Sequence, residues 1–333
     1  MKAVVITAPG LPDVFQVQSV PDPTLEYDTD LLVRLKAAGV NPIDTKLRKR
    51  GTFYSKDAPA ILGCDGAGVV EAVGSAVTQF QVGDEVYFCN GGIGLHPGNY
   101  AEFATVNEQF AAHKPRRLSF VEAAAAPLVL ITAWEALYDR ANLEAGRTVL
   151  VQAGAGGVGH VAIQLARLAG AKVCTTVSSP EKAKVATDLG ADHCIFYQQE
   201  NVVDAVMRWT EGRGVNLGFD TVGGAVLSQT FAATAIYGDV VTLLAPATDT
   251  DWKIARDRNL RFSFELMLTP MLQHLPDAQR DQANILRQCA RLIDQGELQI
   301  ILSKTFPLDA VVEAHRCLEA GGMIGKIALH IAD

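Results

Sequence analysis

Residues 148–159 read Thr148-Val-Leu-Val-Gln-Ala-Gly-Ala-Gly-Gly-Val-Gly159, a short apolar run that meets four glycines. The run Val149–Ala153 has the length and composition of a buried strand. The stretch Val158–Ala169, closed by Gly170, is helical in pattern. Strand, glycine turn and helix in this order, followed by a second strand at Lys172–Val177, open a doubly wound parallel sheet that binds a dinucleotide. Glycine lets the backbone of Gly154, Ala155, Gly156, Gly157 and Val158 approach a pyrophosphate. The helix N-terminus adds unpaired donors and a partial positive charge.

The end of the second strand bears on which dinucleotide is bound. An NAD site places Asp or Glu there, about 20 residues past the first glycine, to bond the ribose 2′-hydroxyl. Here Lys172-Val-Cys-Thr-Thr-Val177 runs into Ser178-Ser-Pro-Glu-Lys182. Ser178, Ser179 and Lys182 stand where a 2′-phosphate would lie, and each can donate to it. The expected cofactor is therefore NADP(H). Glu181 competes with this reading, but it falls in the first turn of the next helix, where the helix dipole favours an acid. Lys182 also reads as an ordinary solvated helix lysine.

The 333 residues leave room for two domains. The net charge of −8 speaks against nucleic acid as a partner. No stretch has the length and apolarity of a membrane span, so no membrane partner is expected. Met1–Ile6 runs directly into strand-like sequence with nothing like an export signal, which sets the expectation of a cytoplasmic protein. Cys64, Cys89, Cys174, Cys194, Cys289 and Cys317 are scattered without a CxxC pair and read as reduced thiols.

The first third is rich in β-formers and turn residues, with strands expected at Lys2–Thr7, Phe15–Val20, Asp30–Ala38, Gly68–Val73 and Asp84–Phe88. From about residue 120 strands and helices alternate. The strands are expected at Thr148–Ala153, Lys172–Val177, His193–Tyr197, Leu217–Thr221, Asp239–Ala245 and Leu260–Glu265, with a helix such as Pro180–Leu189 between them. Alternation of this kind implies an α/β fold with a parallel sheet and right-handed crossovers. Arg280–Gln295 reads as an amphipathic helix. Gln299–Ser303, the helix Leu308–Glu319 and Lys326–Ile331 read as a return to the first domain.

Residues 63–86, from Gly63-Cys-Asp-Gly-Ala-Gly through Val82-Gly-Asp-Glu-Val86, resemble the signature segment of the medium-chain dehydrogenase/reductase superfamily. The resemblance extends over nearly the whole chain. It takes in Ala38-Gly-Val-Asn-Pro-Ile-Asp44, Thr132-Ala-Trp-Glu-Ala-Leu137, the glycine turn, Phe219-Asp-Thr-Val-Gly223 and Gly325-Lys326. Within the superfamily the chain is similar to the zinc-free quinone oxidoreductase (zeta-crystallin-like) branch. That resemblance implies a GroES-like β-rich catalytic domain over 1–123, a Rossmann NADP(H)-binding domain over 124–267, and a return to the catalytic domain over 268–333. It also implies that the nicotinamide lies at their junction. It implies a homodimer too, for which Arg261-Phe-Ser-Phe-Glu265 would supply the edge strand.

No catalytic metal is expected. Zinc enzymes of the superfamily carry Cys where this chain has Asn41 and His-Glu where it has Cys64-Asp65, and their third ligand falls near Leu128–Val129. A catalytic zinc needs three protein ligands, and at most Cys64 qualifies. The loop from Phe88 to Asn99 holds one cysteine, against the four of the family's structural zinc. Without a Lewis acid, interconversion of simple alcohols and ketones is disfavoured, while reduction of an electrophilic acceptor stays open.

Asn41 and Lys46 are the candidate catalytic residues. Asn41 matches the asparagine that lies beside nicotinamide ribose and substrate in the resembled branch. Its amide can bond the ribose or a developing oxyanion, and it also suits capping a helix begun by Pro42. Lys46 either holds an enolate and supplies a proton or belongs to a solvated set with Arg48, Lys49 and Arg50. Asp44 reads as a group that fixes local structure by hydrogen bonds. By resemblance Thr132, Tyr197 and Lys326 neighbour the cofactor, though Tyr197 also reads as a plain strand aromatic and Lys326 as a surface lysine. Val222 and Ala245 end strands where doubly wound sheets meet ligand. Phe264, Leu266 and Met267 read either as an apolar substrate wall or as core or interface packing. The branch's basic residue for the 2′-phosphate near the C-terminus is missing, since Gly321 falls there.

Three functions fit these residues. One is quinone reduction by NADPH. A second is reduction of the activated double bond of an alkenal or enone. A third, from another class, is an NADPH-binding structural or crystallin-like protein without significant turnover. The small-molecule substrate expected is a quinone or an activated alkene.

Overall fold

The computed structural model describes residues 1–53 and 59–332. The chain divides into two units, Met1–Leu130 with Leu268–Asp333, and Ile131–Met267. The first division falls beyond residue 123 because the helix Phe120–Ala124, opened by a Ser119–Glu122 capping box, packs on strands of unit 1.

Unit 1 begins with β1 (Lys2–Ile6), β2 (Phe15–Ser19), β3 (Asp30–Val40), β4 (Ala60–Ile61), β5 (Asp65–Val73), β6 (Glu85–Cys89), β7 (Phe103–Asn107) and β8 (Ala111–His113). Unit 2 contributes β9 (Thr148–Val151), β10 (Lys172–Val177), β11 (His193–Phe196), β12 (Val215–Asp220), β13 (Thr234–Thr242) and β14 (Arg261–Phe264). The chain returns to unit 1 with β15 (Leu302–Pro307) and β16 (Lys326–His330). Among the described residues no helix is long and apolar enough to cross a membrane.

In unit 1 a small antiparallel sheet has the order β2-β1-β4. The larger sheet runs β15-β16-β3-β5-β6-β8, with β7 also on β3. Strand β3 is its axis. Its alternating Leu31, Val33 and Leu35 enter a core with Val70, Val86, Phe88 and Val106. On its other face Arg34 pairs with Glu71. One edge of β3 takes β5, and the other takes β7 along Asp30–Arg34 and β16 along Ala37–Val40. The sequence reading lacked β7 and β8, short strands of mixed polarity that the larger sheet recruits by pairing rather than by pattern, and β4, two residues that pair with β1 in the smaller sheet.

Unit 2 is a six-stranded parallel sheet in the order β11-β10-β9-β12-β13-β14. Strand order reverses between β9 and β12, the topological switch point at which such sheets bind ligand beyond the C-terminal strand ends. Strand β9 stops at Val151 rather than Ala153 because the turn starts early. Ala153 itself takes a left-handed φ of 53°, held where its N–H donates to Thr176 Oγ1 at 2.9 Å. Gly154, Gly156 and Gly159 all keep negative or extended φ. Gly154 and Gly159 are needed for space instead. A Cβ on Gly154 would lie 2.0 Å from Thr175 Oγ1, and one on Gly159 would lie 2.3 Å from the Ala153 carbonyl oxygen. Strand β13 starts earlier than expected and bulges opposite Val215–Leu217, which pushes Ile236 and Tyr237 out into solvent.

These contacts rank the glycines. Gly159→Ala must displace backbone and is expected to destabilise by about 1–3 kcal/mol. Gly156→Ala, whose Cβ would sit 3.1 Å from the nearest atom, is expected to cost less. Thermal unfolding of both variants checks the order; equal losses would contradict it.

Candidate functional site

In unit 1 backbone register assembles a polar cluster. β16 pairs antiparallel with β3 through Ile327↔Val40, which sets Lys326 opposite Asn41, the residue that follows β3. β5 pairs with the other edge through Ala38↔Gly66, which brings Asp65 alongside. Gly39 makes this possible, since a Cβ there would lie 2.3 Å from the Ala124 carbonyl oxygen and 2.9 Å from Asp65 Cβ. Asn41 Nδ2 donates to Asp65 Oδ2 at 2.8 Å. Lys326 Nζ donates to Asn41 Oδ1 and, at 3.2 Å, to the Val40 carbonyl. The other oxygen of Asp65 accepts from the Leu128 N–H at 3.0 Å. Asn41 is 0% exposed and Lys326 3%. Lys326 is therefore not a surface lysine. Burial lowers its pKa, against the opposing pull of Asp65 and Asp44.

Asn41 also caps the helix Pro42–Arg50, but not with its side chain, which is turned to Asp65 and Lys326. The cap runs through Asp44, whose carboxylate accepts the Asn41 backbone N–H at 2.8 Å. Asp44 further accepts from Tyr100 OH at 3.0 Å, and that hydroxyl lies 3.3 Å from His315 Nε2. Burial pushes Asp44 up to about 7 and Asp65 up to about 6, with hydrogen bonds and Lys326 opposing. Burial, reinforced by the Arg48 charge, pushes His315 down to about 3, so the imidazole is neutral at ordinary pH. Arg48 is itself fully buried and pairs with Glu319. Cys64 and Cys89 lie in the same cluster, and burial raises both thiols well above the usual cysteine value. Among the described residues no three His, Cys, Asp or Glu side chains are grouped to hold a metal ion. Lys46 lies outside the buried cluster, exposed on the same helix, its pKa lowered by partial burial and by Arg50.

In unit 2 the remaining candidates follow the C-terminal ends of parallel strands, on one end of the sheet. Gly154, Ala155, Gly156, Gly157 and Val158 form the turn between β9 and the helix Gly159–Leu168. Ser178 and Ser179 follow β10. Ser179 Oγ caps the helix Pro180–Asp188 by accepting the Lys182 N–H at 3.3 Å, which leaves its own proton free to donate. Tyr197 follows β11 and Val222 follows β12, and both are exposed. The Val222 and Gly223 N–H groups are held by Asp220 Oδ1 at 2.9 Å each. Ala245 is exposed beyond β13, and Thr132 is buried in the helix Pro127–Trp134. Of the expected substrate wall, Phe264 and Leu266 are exposed at the end of edge strand β14, but Met267 is buried and packs in the interior.

The structure thus joins Asn41 and Lys326 and adds Asp65, Asp44, Tyr100 and His315, which the sequence reading did not count as site residues. Asp65 had a signal, its place in the Gly63-Cys-Asp-Gly segment. Tyr100 and His315 had none, being 215 residues apart.

Residues 27–116 match the alcohol dehydrogenase GroES-like domain family, and residues 189–329 match the zinc-binding dehydrogenase family. Over 331 residues the chain is 32% identical to a quinone oxidoreductase of Pseudomonas aeruginosa, covering 98% of this chain and 99% of that one. It is 32% identical over 345 residues to the 2-methylene-furan-3-one reductase of Solanum lycopersicum, covering 99% of this chain and 79% of that one. Among solved structures it is similar to an NAD-dependent alcohol dehydrogenase (TM-score 0.91, 32% identity, all of both chains). It is also similar to a mycobacterial protein complexed with NADPH (TM-score 0.87, 30% identity, 99% of this chain and 100% of that one).

The raised carboxylates set a pH dependence. An acid whose folded pKa lies above its unfolded value stabilises below the unfolded value, about 4, and loses that contribution as pH rises through the folded value. The contribution of Asp44 should therefore fade between about pH 4 and the folded value of about 7. Asp44→Asn, which keeps an acceptor for the Asn41 N–H, should gain in melting temperature relative to the unmodified protein across that window and level off above it. Melts at several pH values read this, and a pH-independent difference would contradict it.

Proposed function

Because the chain belongs to the quinone oxidoreductase branch of the medium-chain dehydrogenase/reductase superfamily, we propose that it is an NADPH-dependent, zinc-free reductase of quinones. Unit 2 would hold the dinucleotide and unit 1 the reacting oxygen. The observation that carries the reading is the buried Asn41 amide, held by Asp65 and Lys326 with one N–H left over. Such a donor suits an oxygen that gains negative charge.

The residues fit a bound NADPH. In the turn after β9 the Gly154 and Gly156 N–H groups are taken by the Thr176 and Ala153 carbonyls, and those of Ala155, Gly157 and Val158 would meet a pyrophosphate. The tip of β10 carries two hydroxyls, and Lys182 sits in the first turn beyond it with no acid at the strand end. Ser178, Ser179 and Lys182 would donate to the 2′-phosphate. NADPH supplies the hydride. Asn41 donates to the acceptor oxygen as charge develops there. Lys46 Nζ, on the helix that begins beside Asn41, supplies the proton that completes reduction and regains it from solvent. A zinc ion does not fit, since the Asp65 carboxylate is already engaged by Asn41 and Leu128 and an ammonium group lies against the same cluster. In this reading Phe264 and Leu266 contact substrate. The free edge of β14 meets a second copy to form a homodimer, which sedimentation would register.

The relative that reduces 2-methylene-furan-3-one supports a second reading, reduction of an activated carbon–carbon double bond. The same donor would then stabilise an enolate oxygen.

Cofactor choice is tested by titrating NADPH and NADH against the fluorescence of the three tryptophans. NADPH should bind more tightly. Lys182→Ala should weaken NADPH roughly 10–100-fold, the scale of one charged hydrogen bond, and leave NADH nearly unchanged. Equal affinities would remove the NADPH assignment.

The reaction is tested by following NADPH oxidation with quinones, enones, alkenals and simple ketones. Quinones should lead, and Asn41→Ala should lower kcat more than it weakens NADPH binding. Faster turnover of simple ketones, or none with any acceptor, would overturn the mechanism.

A further inference from the structure

The Asn41 side chain has one orientation open to it. Its Oδ1 faces Lys326 Nζ, which can only donate, and its Nδ2 faces Asp65 Oδ2, which as a carboxylate can only accept. Turning the amide over would set N–H against ammonium and carbonyl against carboxylate. Neither neighbour is free to follow such a turn. Asp65 is tied to the Leu128 N–H and Lys326 to the Val40 carbonyl, both main-chain groups. The Asn41 backbone is tied in turn to the Asp44 carboxylate. Of the hydrogen-bonding groups on the amide, only the second Nδ2 proton meets no acceptor among the described residues, and it is fully buried. A buried unpaired donor carries a penalty that a ligand oxygen would relieve.

We propose that Asp65 and Lys326 are positioning residues that lock Asn41 as a pure donor, so that the site takes an oxygen presenting a lone pair. A carbonyl or the oxyanion derived from it meets this requirement, and a group that must donate does not. The inference rests on the reading that Asn41 faces the reacting oxygen. It adds that two further side chains, acting through their hydrogen bonds to the amide, decide what Asn41 offers.

Two measurements test it. The first uses the free protein with 15N-labelled asparagine side chains, the Asn41 signal being identified by its loss in Asn41→Ala. The lock predicts two well-separated Nδ2 proton signals, one of them protected from exchange by Asp65, and loss of that separation and protection in Lys326→Met. An Asn41 signal unchanged by Lys326→Met would overturn the lock. The second is a double-mutant cycle on kcat. Asn41→Ala and Lys326→Met should each lower kcat, on the order of 10–100-fold for lost orientation of a functional group, and the double variant should lose no more than the worse single. Additive losses would overturn the inference, because Lys326 would then act independently of Asn41. Where Lys326→Met does not fold, Asp65→Asn carries both measurements, with a smaller loss because it keeps an acceptor for Nδ2. If Asn41→Ala leaves kcat intact, the placement of Asn41 at the reacting oxygen fails, while the spectrum of the free protein still decides the lock.

Discussion

The pairing of β16 with the end of β3, in the register Ile327↔Val40, is the constraint on which unit 1 depends. It ties the C-terminal segment to the first third of the chain and sets a lysine and an asparagine side by side across 285 residues of sequence. Tight backbone on both sides makes the register possible. Gly39 leaves room for the Ala124 carbonyl, and Gly325, at a left-handed φ of 67°, passes close to the Ile301 carbonyl. The pairing brings a cost with it. One lysine and two carboxylates are taken out of water, and burial displaces the pKa of each. Buried ionic groups of this kind seldom raise stability above what apolar residues of similar size would provide. Their presence is better explained by what they orient than by what they hold together.

Unit 2 obeys a different rule. Its parallel strands gather their C-terminal ends on one side whatever the side chains, and the order reverses between β9 and β12. The polar tips there are small and locally satisfied. Gln152 bridges Thr176 and Thr230, and Asp220 holds Val222 and Gly223. Each loop is thus shaped by its own strand and helix, which is why its residues carry recognisable short motifs. The polar cluster of unit 1 is shaped by strands distant in sequence and carries few such motifs.

This difference explains what was legible in the sequence. The glycine turn, the alternation of strands and helices, and the acid-free tip of β10 all reside in contiguous segments, and they were read as such. The role of the glycines was read incompletely. The turn takes its left-handed residue at Ala153 and uses Gly154 and Gly159 for close approach, a distinction that appears only when Thr175 is placed beside them. Lys326 read equally well as a surface residue, because nothing near Gly325 reveals that β16 lies against Asn41. Asp44 and Asn41 showed their capping pattern, but the pattern did not reveal that the Asn41 amide is committed elsewhere. Tyr100 and His315 were invisible for want of any local relation. Met267 shared the apolar character of Phe264 and Leu266, and only burial separates it from them.

The central claim is that unit 1 presents to the reacting oxygen a single donor whose direction is fixed by charge. A crystal structure of the protein with NADPH and a non-reducible quinone analogue tests it most directly. The account predicts an oxygen of the bound molecules within about 2.7–3.2 Å of Asn41 Nδ2, with Oδ1 still turned to Lys326 and Nδ2 still bonded to Asp65. An amide turned over toward the ligand, or a bound acceptor whose oxygen is held by other groups while Asn41 remains covered, would contradict it.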